Sequence, residues 1–265
     1  VNEVLDIVDG KEPVYTNWDP VHNKPIVQRL EKKGLINIRN EWEKIPNNSI
    51  IIFSAHGAPP SAYEIAREKN LHVVDTTCPL VTRVHSLAKK AENEEKHIVY
   101  VGKRNHPETL GVMGEVESQN ITLIENGEDV RRIELPSEKN KVVYSQTTLS
   151  TDEIRETLES LEKQFSNIEI PNRWDICYAT DNRQAAVDEL LTKVDFLMVV
   201  GSEQSHNSQE LKRKSDRKDI TSVLIDDASQ ISRQWFLGTI DKVGVTSGAS
   251  VLEEFTEGVL DWFRK

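Results

Sequence analysis

The sequence predicts an α/β protein built as three similar αβα lobes with mainly parallel sheets, arranged around a central pocket. Three observations lead there. First, short apolar or β-branched runs alternate with amphipathic stretches, the pattern of parallel strands joined by crossover helices. Second, the runs IIF at 51–53, IVYV at 98–101 and FLMVV at 196–200 lead into the polar turns SAHG, GKRNHPE and GSEQSHNS, each holding a histidine. Open α/β sheets place ligand groups at that position, beyond the carboxyl ends of the strands. Third, breaks near Cys78 and near PNRWD at 171–175 divide the 265 residues into segments 1–77, 78–173 and 174–265.

Each element has its own signal. VNEVLDIVDG reads as a helix, and because the chain starts at Val1 without a methionine, a strand and loop are expected ahead of it in the natural protein. VHNKPIVQRLEKKG is a helix closed by Gly34. SAYEIAREKN and PLVTRVHSLAKKAENEE are amphipathic helices, the second opening at Pro79, a residue suited to a first helical turn. ITLI, KVVYS and VLID are strands. STDEIRETLESLEKQF opens with Ser150, Thr151 and Asp152 as N-cap candidates. GSEQSHNSQEL and GVTSGASVLEEF put Ser and Asn at helix starts, and LEEFTEGVLDWFRK closes the chain as an amphipathic helix.

Composition narrows the function. A net charge of −11 argues against nucleic acid or an anionic membrane as partner, since both need a basic footprint. A small anion can still be held by histidines, hydroxyls and helix-start amides. Mean hydropathy is −0.52, no apolar run approaches the roughly 18 residues of a membrane span, and the N-terminus lacks signal-peptide character, so a cytoplasmic location is expected.

Of the seven histidines, His22, His56, His106 and His206 sit in short turns rich in Gly, Asn or Pro, whereas His72, His85 and His97 lie in helix or strand patterns and read as ordinary. His106 precedes Glu108 by two residues on the predicted loop NHPE, a pairing suited to proton delivery. In SQTTLST, Thr147 and Thr148 precede the helix cap, so either capping or a ligand contact explains them. Cys78 and Cys177 each follow strand or loop residues and precede a helix, where the dipole favours a thiolate; the competing reading is two small buried apolar side chains. Neither a Walker loop nor a dinucleotide fingerprint is present.

The blocks VHNKPIVQRLEKKG, IIFSAHG, DTTCPLVTRVH, NHPETLGVMGE, SQTTLS, DICYATDNRQ and VGVTSGAS, in order from His22 to Ser250, resemble the IspH/LytB family of 4-hydroxy-3-methylbut-2-enyl diphosphate reductases. The resemblance implies reduction of an allylic diphosphate to isopentenyl and dimethylallyl diphosphates with a 4Fe–4S cluster. A ferredoxin- or flavodoxin-type electron donor is implied with it. Glu108 matches the proton donor, with Thr147 in its relay. His22, His56, His106, Ser205, Asn207 and Ser250 match the diphosphate ligands, and Cys78 and Cys177 match two of three cluster cysteines, the other lying outside this sequence. The chain departs from the family at His206, where a second serine is usual, and at Val251 and Leu252, where a proline is common nearby. A cluster-free diphosphate-binding homologue and, lower, a zinc hydrolase using both cysteines and a histidine are the alternatives.

Overall fold

The computed structural model describes residues 2–8, 12–149, 151–170, 178–238 and 240–264. In chain order its helices and strands begin with α1 (Asn2–Ile7), β1 (Val14–Thr16), α2 (Lys24–Lys32), β2 (Leu35–Asn37), β3 (Ile50–Phe53), α3 (Pro60–Glu68), β4 (His72–Asp75) and α4 (Pro79–Asn93). The middle continues with β5 (His97–Val101), α5 (Pro107–Met113), β6 (Ile121–Ile124), α6 (Gly127–Val130), β7 (Lys141–Ser145), α7 (Thr151–Gln164) and β8 (Ile168–Glu169). The last part holds α8 (Tyr178–Leu190), β9 (Phe196–Val200), α9 (His206–Asp216), β10 (Thr221–Ile225), β11 (Val243–Ser247) and α10 (Glu253–Arg264). The expected strands and helices are therefore present, and every strand pairing among the described residues is parallel.

The chain forms two compact units. The larger, Ile7–Pro20 with Gly34–Cys177, holds two sheets; the smaller, Val1–Asp6, Val21–Lys33 and Tyr178–Lys265, holds one.

In the larger unit the first sheet runs β2-β1-β3-β4, with Val14 opposite both Leu35 and Ile50, and Ile50 opposite His72. Ile51 and Phe53 of its inner strand pack on Ala62 and Ala66 of α3 with Ile38 and Ile45. The second sheet runs β6-β5-β7-β8. Its central strand shows why a strand buried on both faces reads as an unbroken apolar run: Ile98 and Tyr100 point to Val84, Ala88 and Ala91 of α4, while Val99 and Val101 point to Ile154, Leu158 and Leu161 of α7.

The sheet of the smaller unit runs β10-β9-β11. Leu197 and Val199 pack on Val187 and Leu211 of α8 and α9, and Phe196, Met198 and Val200 pack on Ile225 and on Val259 of α10. All five β9 side chains are buried, each contributing about 1.5–3 kcal/mol of transfer free energy. Such rigid central strands fix where the loops at their carboxyl ends begin.

Two expectations need correction. α5 starts at Pro107, so Glu108 lies in the first turn of a helix capped by His106 and not on a loop; Pro107, with its φ preset and no backbone N–H to leave unsatisfied, starts the helix early. Ser250 does not stand at a helix start, because the turn closed by the Val251 N–H donating to the Gly248 carbonyl at 3.2 Å holds the chain and α10 begins only at Glu253.

Candidate functional site

The ligand-type side chains of the larger unit cluster at the carboxyl ends of β3, β4, β5 and β7. After β3, the chain turns at Ser54 and Gly57, whose φ of +81° is open to glycine at little cost. The buried Ser54 Oγ accepts from the His56 N–H at 3.4 Å and lies 3.1 Å from His56 Nδ1. The Ser54 hydroxyl donates to Nδ1 when the neutral His56 ring carries its hydrogen on Nε2.

After β4, Asp75 organises the DTTC turn. Its Oδ1 accepts from the Thr77 amide at 2.9 Å and the Thr77 hydroxyl at 2.5 Å, and its Oδ2 accepts from Tyr63 Oη at 2.6 Å. Burial works against the Asp75 charge, but the bonds from Thr77 and Tyr63 outweigh it and hold the carboxyl below its ordinary range. Burial, with Asp75 next, pushes the Tyr63 phenol up. The Cys78 N–H donates to the Ala55 carbonyl at 3.0 Å, which ties this turn to SAHG. Cys78 is the N-cap of the 15-residue α4 and its half-buried thiol is free, making no capping bond.

After β5, His106 caps α5 by accepting the Glu108 N–H on Nδ1 at 3.2 Å, so its neutral ring carries the hydrogen on Nε2. The His56 and His106 rings meet edge to face with centroids 5.4 Å apart. Glu108 is 1% exposed. Its Oε1 accepts from the Thr147 amide at 2.6 Å and its Oε2 lies 3.1 Å from Thr147 Oγ1. Desolvation pushes its pKa up to about 7 against the lowering effect of both Thr147 bonds. Because a fixed backbone N–H occupies Oε1, the exchangeable proton belongs on Oε2, next to a hydroxyl that can pass or receive it.

Sequence reasoning missed Gln146, which is fully buried. Its Oε1 accepts from the Lys103 amide at 2.9 Å, its Nε2 donates to Thr148 Oγ1 at 2.7 Å, and Thr109 Oγ1 lies 3.5 Å away. It thereby links the β5 loop that leads into α5 and Glu108 to the β7 loop that carries Thr147, and assigns Thr148 to this internal bond. A lone amide directly after an apolar strand was the available signal.

In the smaller unit, Ser205 caps α9 by accepting the Ser208 N–H at 3.3 Å, and His206 is the first residue of that helix. Asn207 is 4% exposed; its Oδ1 accepts the Ala249 N–H at 2.9 Å, which ties the turn carrying Ser250 to α9, and its Nδ2 is buried with no hydrogen-bond partner. The Ser208 side chain wedges against Gly201 and Gly248, the residues that follow β9 and β11. His22 precedes Asn23, a buried cap that accepts the Ile26 N–H at 3.0 Å on Oδ1 and whose Nδ2 is likewise unpartnered. Asn23 was not singled out from sequence, although Asn before Lys-Pro is a capping signal. Cys177 lies outside the described residues.

Parallel strands carrying a buried, proton-holding carboxyl and paired histidines at their carboxyl ends define an α/β protein with the groups of an acid–base and anion-binding site. The model of the LytB protein family matches residues 1–264, and the chain belongs to that family. A 4-hydroxy-3-methylbut-2-enyl diphosphate reductase of Francisella philomiragia is 40% identical over 263 residues, covering 98% of this chain and 81% of the relative. One from Acidothermus cellulolyticus is 43% identical over 251 residues, 94% of this chain and 73% of the relative. Among solved structures, the E-1-hydroxy-2-methyl-but-2-enyl-4-diphosphate reductase of Plasmodium falciparum superposes with a TM-score of 0.92 at 33% identity, over 100% of this chain and 84% of its own. A second, described as the terminal enzyme of the non-mevalonate pathway, gives a TM-score of 0.70 at 26% identity over 99% and 94%. No helix among the described residues is long and apolar enough to cross a membrane.

Proposed function

We propose that this chain reduces (E)-4-hydroxy-3-methylbut-2-enyl diphosphate to isopentenyl and dimethylallyl diphosphates, the last step of the non-mevalonate isoprenoid route. The observation that carries the reading is the buried Glu108–Thr147 pair, with a carboxyl pKa of about 7, beside two histidines in a chain of this family. Two electrons and two protons enter, the carbon–oxygen bond breaks, and the hydroxyl leaves as water. Glu108 supplies the proton to the departing oxygen from Oε2, and the Thr147 hydroxyl beside it relays one of the entering protons back to Glu108 afterwards, keeping its own count of hydrogens unchanged.

The assigned diphosphate ligands are His56 and His106 of the larger unit and His22, Ser205, Asn207 and Ser250 of the smaller. The Nε2 hydrogen deduced for His106 and the spare Asn207 amide donor suit phosphate oxygens, and His56 offers its ring beside them. The Cys78 thiol fits one thiolate ligand of a 4Fe–4S cluster, and Cys177 is assigned as another. When bound, such a cluster supplies electrons singly and a Lewis-acidic iron. A ferredoxin- or flavodoxin-type donor, a cytoplasmic location and the lobes 1–77, 78–173 and 174–265 complete the reading.

The test is anaerobic reconstitution of the natural full-length protein with iron and sulfide, followed by turnover of the hydroxylated diphosphate with a reduced donor. Iron with labile sulfide and formation of both products is expected. Diphosphate binding without reduction indicates a cluster-free binding homologue, and stoichiometric zinc a hydrolase.

A further inference from the structure

We propose that His85 is a positioning residue whose ring sets the spacing between His56 and the helix start that carries His106 and Glu108; this rests on the assignment of those three residues to the site. Read from sequence, His85 is an ordinary helix residue. In the structure it occupies the buried stripe of α4 otherwise made of Val81, Val84, Ala88 and Ala91, a position where an aliphatic side chain would gain more from burial.

The ring is oriented from one edge and used on the other. Nδ1 meets Glu115 Oε1 at 2.8 Å, and Glu115, itself 7% exposed, is held from its other oxygen by Lys89 at 2.5 Å. Nε2 is buried and makes no hydrogen bond. A buried ring nitrogen without a partner is a cost that a purely structural residue would not need to bear. What faces that edge is backbone from two ligand-bearing segments. A methyl group added at Gly57 would come within 3.1 Å of Nε2 and 3.2 Å of Cε1, and one added at Gly111 within 3.1 Å of both atoms. Gly57 directly follows His56, and Gly111 lies one helical turn after Glu108. The flat ring is therefore a spacer in contact with both segments, and the absence of a side chain at each glycine lets it touch backbone. Glu115 and Lys89 keep it from turning.

Inorganic diphosphate binding to the full chain, followed by calorimetry beside the thermal unfolding midpoint, tests this. His85→Asn keeps a donor near Glu115 but empties the gap, and it should weaken diphosphate about tenfold. Gly111→Ala should weaken it about fivefold by pressing on the ring, although Gly→Ala inside a helix normally stabilises. The double variant, with the methyl filling the emptied gap, should recover to within about threefold of the parent. Losses that simply add, or unchanged affinity in both single variants, overturn the proposal. Should His85→Asn not fold, Gly111→Ala decides alone: weaker binding with an unchanged or raised midpoint supports the spacer, and unchanged binding refutes it. His56→Ala separates the two levels. If it binds diphosphate as well as the parent, the site assignment fails and the proposal with it; if it binds weakly while the His85 and Gly111 variants bind normally, only the proposal fails.

Discussion

At the end of β5, burial acts on an ionisable group: Glu108 is 1% exposed and its pKa rises to about 7. At the end of β9, burial acts on neutral groups instead: Ser205, Asn207 and Ser208 are also buried, and Asn207 keeps one donor unpartnered. The backbone device is similar in both places, a parallel strand leading to a helix whose first amides are capped by the preceding side chain, His106 in one and Ser205 in the other. What differs is the chemistry that desolvation selects. A carboxyl without a cation beside it holds its proton near neutrality and can deliver it. Amides and hydroxyls cannot change charge, so their spare donors suit an anion that must be held unchanged through a reaction.

The largest expected effect breaks the first half of this comparison. Glu108→Gln should lower turnover at least about a hundredfold while leaving diphosphate affinity largely intact, measured as kcat beside diphosphate binding. Near-normal turnover removes Glu108 from the proton path. The parent should also lose turnover as pH rises through about 7, and the variant should lack that limb. Stability follows the same sign. The folded pKa lies above the ordinary 4.5, so between the two values the folded state binds more protons than the unfolded one. This contribution is complete below about pH 4.5 and is lost as pH rises through about 7, and urea titrations of parent and variant should differ in that slope.

In the smaller unit the effects are more modest. Gly201→Ala puts a methyl 2.7 Å from Ser208 Cβ and should destabilise by about 2 kcal/mol, read from chemical denaturation. Asn207→Asp keeps the acceptor for the Ala249 N–H but turns the spare donor into a negative oxygen, and should weaken diphosphate binding about tenfold; equal affinity would remove Asn207 from the ligand set. Ser205→Ala deletes the α9 cap and should cost about 1 kcal/mol of stability. Arg29→Ala, which breaks an ion pair with Glu254 whose side chains are half exposed, should shift the unfolding free energy by less than about 0.5 kcal/mol and serves as the baseline.

Much of this was legible because the signals are local. Apolar runs such as IVYV and FLMVV are strands buried on both faces, Pro79 opens a helix, and Gly34, with φ of +108°, follows α2. What stayed out of view depends on contacts between distant positions. His85 and Gln146 looked unremarkable because Glu115, Gly57 and Gly111 for one, and Lys103 and Thr109 for the other, lie far along the chain. Ser250 was displaced from a helix start by a single turn hydrogen bond whose strength, against helix extension, no spacing rule expresses.

The sequence by itself determined the parallel α/β architecture, the strand-end positions of the histidines and Glu108, and the family, since periodicity, caps and ordered blocks are properties of neighbouring residues. Only the tertiary structure decided that Glu108 is sealed from water against Thr147, that Asn207 has an amide hydrogen to spare, and that His85 stands between two glycines. Desolvation, unmet hydrogen bonds and close packing arise from which side chains surround an atom in space, and chain order does not encode that arrangement until the sheets are assembled.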